Sequence, residues 1–259
     1  LNKLNKVNNT YKCSSKHSFD ISKEGYINLL LNKSKAGDNQ EMIKARKEFL
    51  EKGYFNPLVD GIINTMQTLD INNPNIIDIG CADGYYTYAI SKHYPKIIGL
   101  DISKDAIKYA ARKYKDILFV VANAKKLPIQ SEEVDIALNI FAPHFLDELK
   151  RVLKNGGYII KATPNKKHLF ELKEIIYENT YLTKEKQINE DDLILVKSTD
   201  LNYKKDIMSQ DLINLFKMTP YTYKTKQTDI DKLKQIKKLL ITFDFNISVY
   251  KKTFQSFID

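Results

Sequence analysis

The chain has 259 residues, of which 43% are hydrophobic and 28% charged, with a formal net charge of +9. That length accommodates one full domain plus an appendage. No 18-residue apolar run occurs, and the polar opening Leu1-Asn-Lys-Leu-Asn-Lys has no signal-peptide hydrophobic region, so neither a membrane span nor secretion is expected.

A soluble cytoplasmic protein fits these limits. Two cysteines, Cys13 and Cys81, in unrelated settings argue against a disulfide framework and suit a reducing compartment. A basic balance suggests a polyanionic partner. Only three of the 41 basic residues are arginine, so a general drift toward lysine accounts for part of the charge. Residues 1–57 nevertheless carry 11 basic against 6 acidic side chains, while residues 58–164 carry 13 against 12. Residues 165–259 carry 17 against 14, so over half of the excess sits in the N-terminal fifth.

Residues 1–33 are short and mixed, with turn residues around Cys13 to His17 and an apolar finish from Tyr26 to Leu31. Residues 34–39 read as a linker. Met42, Ala45, Phe49 and Leu50 at helical spacing predict a helix over 40–52 stopped by Gly53, and Pro57 suits the first turn of a second helix reaching residue 69. From residue 75 strands and helices alternate. Strands are expected over 75–79, 96–100, 117–121, 134–140 and 158–162. Helices are expected from the first strand's turn to residue 93, over 104–114, and over 146–153, the last closed by a left-handed cap at Asn155-Gly156-Gly157. A strand near 193–197, a helix near 209–217 and an alternating run over 242–250 complete the chain. This alternation predicts a mainly parallel sheet with helices on both faces and a last strand entering antiparallel.

The segment Ile76-Ile-Asp-Ile-Gly-Cys-Ala-Asp-Gly84 is the most informative. An apolar strand ends beside Asp78, a turn bracketed by Gly80 and Gly84 follows, and a helix starts at once. A second apolar strand then ends on Asp101. The glycines let backbone approach a ligand, and an acid after the second strand can accept both hydroxyls of a ribose. Asp78 and Asp83 would repel a pyrophosphate but suit the cationic methionine part of S-adenosylmethionine. The turn therefore reads as a methyl-donor site. In such a fold Asn123, after the third strand, lies where adenine sits, although asparagine is also an ordinary turn residue there. Phe141 and Pro143, in Asn139-Ile-Phe-Ala-Pro143, either wall the reacting centre or simply pack.

Beyond the turn, the chain carries Tyr11-Lys-Cys13, His17, Lys23-Glu-Gly-Tyr-Ile-Asn-Leu-Leu30, Ile140-Phe-Ala-Pro143, Ala162-Thr-Pro164, Met218-Thr-Pro220 and Asp244-Phe-Asn-Ile247. In this order it resembles the RlmA family of 23S rRNA (guanine-N1)-methyltransferases over residues 11–259. The resemblance implies a class I S-adenosylmethionine-dependent, Rossmann-like α/β sheet with a small N-terminal zinc-ribbon-like module. The expected division is an RNA-recognition module over 1–33, a helical linker region over 34–74 and the methyltransferase domain over 75–259. It further implies methyl transfer to N1 of a guanine in a hairpin loop, helix 35, of 23S rRNA, and a homodimer.

By motif, the resemblance makes Ala82 and Asp83 donor contacts. The family more often has glycine at the position of Ala82, and alanine suits the turn only at negative φ. Phe55 and His168 become further donor contacts. Cys13 and His17 resemble half of a structural zinc site, whose other half, a Cys-x2-Cys pair, would fall at or before residue 1. No residue is singled out as the base that takes the N1 proton. Two alternatives stand beside this reading: a methyltransferase for a quinone or metabolite, and a catalytically lapsed rRNA-binding relative.

Overall fold

A computed structural model describes residues 3–30, 39–177, 192–223 and 225–253. Among these residues the centre is an eight-stranded sheet in the order β10 (Leu193–Met208), β11 (Lys238–Lys252), β9 (Leu153–Pro164), β8 (Val134–Ile140), β5 (Ile76–Ile79), β6 (Ile97–Asp101), β7 (Leu118–Val121), β4 (Ile27–Asn28). The middle strand β5 (Ile76–Ile79) is buried along its whole length, which is why it reads as an unbroken apolar run. From β5 the chain steps outward in parallel through β6 (Ile97–Asp101) and β7 (Leu118–Val121). It then returns to the other side of β5 for β8 (Val134–Ile140) and β9 (Leu153–Pro164), also parallel. The reversal between β5 and β8 opens the crevice at the strand ends where α/β sheets bind ligands. β11 (Lys238–Lys252) enters antiparallel to β9, as the sequence predicts, and β10 (Leu193–Met208) pairs antiparallel beyond it.

Most predicted helices appear within a few residues of their expected ends. Helix α1 (Gln40–Leu50) is capped by Asn39, whose side chain accepts from the Met42 N–H at 2.9 Å, and Gly53 turns the chain at φ +76°. α2 (Asn56–Gln67), α3 (Tyr85–Ser91), α4 (Lys104–Lys113), α5 (Leu146–Val152) and α7 (Ser209–Lys217) follow. α1 and α2 bury Phe49, Leu50, Leu58 and Ile62 in the same core as Phe243 and Phe245 of β11, so they are built into the main body.

Some expectations fail, each for a local reason. Gly156 is left-handed, at φ +79°, but caps no helix: α5 stops at Val152 and β9 begins at Leu153. The glycine lies where β9's pairing jumps from Val134–Leu153 to Ile136–Tyr158, so it serves a strand irregularity instead. β10 runs through Met208 rather than 197, because its mostly exposed residues hide the alternation that marks a strand. Helices α6 (Phe170–Ile176) and α8 (Gln227–Gln235) were not foreseen. Residues 34–38 of the expected linker lie outside the described residues.

The N-terminal segment forms an antiparallel sheet of β1 (Asn5–Val7), β2 (Thr10–Lys12) and β3 (Ser18–Asp20). The chain then crosses to the main body. β4 (Ile27–Asn28) pairs in parallel with Val120 and Val121, Tyr26 is buried, and Glu24 meets Lys108 at 3.7 Å and Arg112 at 3.4 Å on α4. Gly25 makes this crossing at φ +103°.

Candidate functional site

The glycine turn is shaped by what surrounds it. Gly80 sits at φ +75°, and a Cβ there would lie 2.5 Å from the Cβ of Ala142. The turn after β5 and the loop after β8 are therefore in contact, and only glycine permits it. Gly84 opens α3 at φ +77° beneath the ring of Phe119. Between them Ala82 adopts φ +47°, which corrects the expectation of a negative φ. Its N–H donates to Asp101 Oδ2 at 3.0 Å, and that anchor holds the alanine in the left-handed region.

Three carboxylates converge on this turn. Asp101 ends β6 half-buried and also accepts the Ser103 N–H at 2.7 Å. A carboxylate accepts about four hydrogen bonds, so an acid placed here suits a donor-rich group such as a pair of hydroxyls. Asp78 is fully enclosed at the end of β5, where Thr87 Oγ1 donates to it at 2.6 Å. Burial, reinforced by the charges of Asp101 and Asp83, pushes its carboxyl up to about 7 despite that hydrogen bond. Asp83 is raised to about 6 by burial, opposed by Arg46 on α1 and the Tyr85 N–H. Cys81, buried between these acids, has its thiol pushed well up and is not primed as a nucleophile. A cationic group beside these acids favours their ionised forms.

Asn123 follows β7 beside Asp101, joined through the Ala122 N–H to the Asp101 carbonyl at 2.9 Å. Its Oδ1 accepts the Lys125 N–H at 2.9 Å, the contact of an ordinary asparagine turn.

On the other side of the crevice stands an aromatic wall. Phe141, at φ +56° and 42% exposed, packs edge-on against Phe55 at 6.3 Å and against Tyr86 at 6.4 Å, and lies 5.5 Å from Phe245. His168 adjoins Phe245 at 4.5 Å, and its Nδ1 accepts the Asp244 N–H at 3.3 Å. Burial, with Lys173 near it, lowers His168 to about 3, so it is a neutral ring. The structure thus brings Phe55 and His168 into one aromatic cluster, but both are themselves buried.

Asn139 carries a role that the sequence reading left unassigned. It is 1% exposed near the end of β8 and donates to the Pro143 carbonyl at 3.2 Å, while its Oδ1 has no hydrogen-bond partner. A buried, unsatisfied acceptor is costly and calls for a donor. The three acids, for their part, suit a cationic nucleoside. Thr87, Arg46, Tyr86 and Phe245 were likewise missed, because nothing in linear order places them beside the turn.

Cys13 and His17 come together at the β2–β3 hairpin, with Sγ and Nδ1 3.4 Å apart. Among the described residues, no group of three His, Cys, Asp or Glu gathers there or elsewhere. Two ligands do not close a tetrahedral zinc site, so the residues present do not by themselves fit the metal. No described helix is long and apolar enough to cross a membrane.

Comparison with known proteins agrees with this geometry. A family model described as a methyltransferase domain matches residues 71–219, and one described as the RlmA N-terminal zinc ribbon matches residues 1–36. A Streptomyces fradiae protein named 23S rRNA (guanine(748)-N(1))-methyltransferase is 33% identical over 65% of this chain and 62% of its own length. YxjB of Bacillus subtilis, which carries a provisional 23S rRNA (guanine-N1)-methyltransferase name, is 31% identical over 91% of this chain and 88% of its own. The solved YcgJ protein of Bacillus subtilis shares the fold at 15% identity and TM-score 0.51, covering 74% of this chain and 98% of that one.

Proposed function

Because the chain belongs to the RlmA family of 23S rRNA (guanine-N1)-methyltransferases, which draw on S-adenosylmethionine, we propose that it methylates a guanine in the hairpin loop of helix 35. The observation that carries this reading is the contact between Gly80 and Ala142, which sets the donor turn against the exposed ring of Phe141. The donor, when bound, supplies an electrophilic methyl group. In this reading Asp101 holds its ribose, Asn123 its adenine, and Asp78 and Asp83 its cationic end beside Gly80, Ala82 and Gly84. Phe55 and His168 back the aromatic wall.

Guanine N1 lies on the Watson–Crick edge, so the base has to leave its pair or its stack. A single-stranded loop makes that inexpensive. Phe141, exposed at the crevice, offers a face for the extruded base. With the donor bound, N1 would displace the methyl group from the sulfonium sulfur, which would leave as a neutral thioether, and the N1 proton would pass to solvent. Positioning and exclusion of bulk water account for the acceleration this arrangement can provide. The basic N-terminal ribbon over 1–33 recognises RNA. The protein works in the cytoplasm, where ribosomes are, and the family likeness extends the reading to a homodimer.

The test is methyl transfer from labelled donor to a helix 35 hairpin transcript, with the product nucleoside mapped by mass spectrometry. N1-methylguanosine within the loop supports the reading. Methylation at another position, or none in the presence of active donor binding, would overturn it.

A further inference from the structure

A second concave surface lies away from the crevice, a cleft of about 820 Å³ between α2, α3 and α4. On one wall Tyr88 is 39% exposed and stacks on Tyr114, with centroids 4.3 Å apart and planes 15° from parallel. The Lys92 ammonium lies 4.6 Å from the centroid of the Tyr88 ring. Lys113 and Lys115 line the same cleft, all three lysines being exposed. Two carboxylates also line it. Glu51 is tied to Lys113 at 2.5 Å, leaving Asp116 against Lys92 and Lys115. The cleft is therefore net positive, and Lys92 and Lys115 have no ion pair among the described residues.

Its two ends connect the parts that the reaction needs. At one end Lys115 Nζ donates to the Glu24 carbonyl at 3.3 Å, where the N-terminal segment docks. At the other end Tyr85 donates to Asn56 Oδ1 at 2.8 Å, and these residues directly follow Gly84 of the donor turn and Phe55 of the aromatic wall. A stacked aromatic with ammonium groups beside it matches single-stranded nucleic acid, whose bases stack while its phosphates pair. We propose that this cleft carries an unpaired strand of the substrate RNA from the docked segment around Glu24 to the donor turn, with a base on Tyr88 and phosphates on Lys92 and Lys115. Binding exchanges the Lys92–Tyr88 contact for a base on the ring and a phosphate on the ammonium.

The inference rests on the RNA reading above, and its test separates the two. Hairpin binding is measured by fluorescence anisotropy across a salt series for the full chain, with the donor dissociation constant and melting temperature as controls for folding. Lys92→Gln/Lys115→Gln is expected to flatten the salt slope by about 1.4, from roughly 0.7 per single-strand phosphate contact. Tyr88→Ser is expected to weaken binding roughly tenfold or more with the slope unchanged, and Tyr88→Phe to restore it. Lys204→Gln/Lys205→Gln on β10 is the control for general charge. The proposal fails if wild-type protein binds the hairpin and the cleft variants bind with the same affinity and slope. It also fails if the β10 pair flattens the slope as much as the cleft pair. If wild-type protein neither binds nor methylates the hairpin, the RNA reading itself has failed.

Discussion

The Ala82 N–H donates to Asp101 Oδ2 at 3.0 Å, so the acid that ends β6 also holds the left-handed residue in the turn after β5. Asp101 thus shapes the turn, in addition to the ribose-binding role proposed for it. Asp101→Ala should weaken S-adenosylmethionine binding by roughly 1.5–3 kcal/mol, the scale of hydrogen bonds to a charged group. Asp101→Asn should also weaken it, because its two oxygens face the Ala82 and Ser103 N–H groups and an amide can accept from only one side. Calorimetric titration decides, and an unchanged dissociation constant in either folded variant refutes the assignment.

Ala82 is strained at φ +47°, where an L-residue's Cβ crowds its carbonyl. Ala82→Gly removes that strain but loosens the unfolded chain. The expected balance is a gain of about 0.5–1 kcal/mol in stability, seen as a higher urea midpoint at unchanged slope. A lower midpoint would mean that the methyl makes a compensating contact.

Asp78 at about 7 and Asp83 at about 6 predict opposite pH trends for the free and donor-bound protein. Both folded values lie above the ordinary 3.8. Their contribution to stability is therefore full below that value and lost as pH rises through 6 to 7. A cationic donor favours the ionised acids, so its affinity should climb over the same interval with release of protons. Calorimetry between pH 5.5 and 7 in buffers of different ionisation enthalpy counts those protons. Asp83→Asn should reduce the count, and zero release in wild-type protein would remove these acids from the site.

Much of this site is legible in one dimension, because a strand, a glycine turn and a helix lie in sequence. Gly80, Gly84 and the acid at Asp101 follow from local steric rules, and the structure places each at the turn. What the sequence hides is contact across the sheet. The need for glycine at position 80 comes from Ala142, sixty-two residues away, and the charge facing Asp83 comes from Arg46. Asn139 sits in plain view within a strand, yet its orphaned oxygen is visible only once burial is known. Gly156 shows the converse: a helix followed by Asn-Gly-Gly looks like a cap, but pairing with β8 turns the same left-handed residue into a strand irregularity.

The N-terminal segment offers the clearest separation of RNA recognition from donor binding, provided that the cut is placed by contacts. Tyr26 and Ile27 are buried on the main body, β4 pairs with Val120 and Val121, and Glu24 faces Lys108 and Arg112. Removing residues 1–33 strips all of these and should cost roughly 3–6 kcal/mol, from two large apolar side chains at 1.5–3 kcal/mol each. Donor binding would then fall through unfolding rather than through lost contacts. Removing residues 1–20 takes only β1–β3, with Cys13 and His17, and keeps the docked strand. That shorter deletion should melt near wild type and bind donor normally, while hairpin affinity drops and its salt slope shrinks. If it instead binds the hairpin with full affinity and an unchanged slope, the ribbon is not the RNA-recognition element and the basic excess of the first 57 residues is ordinary solvated surface.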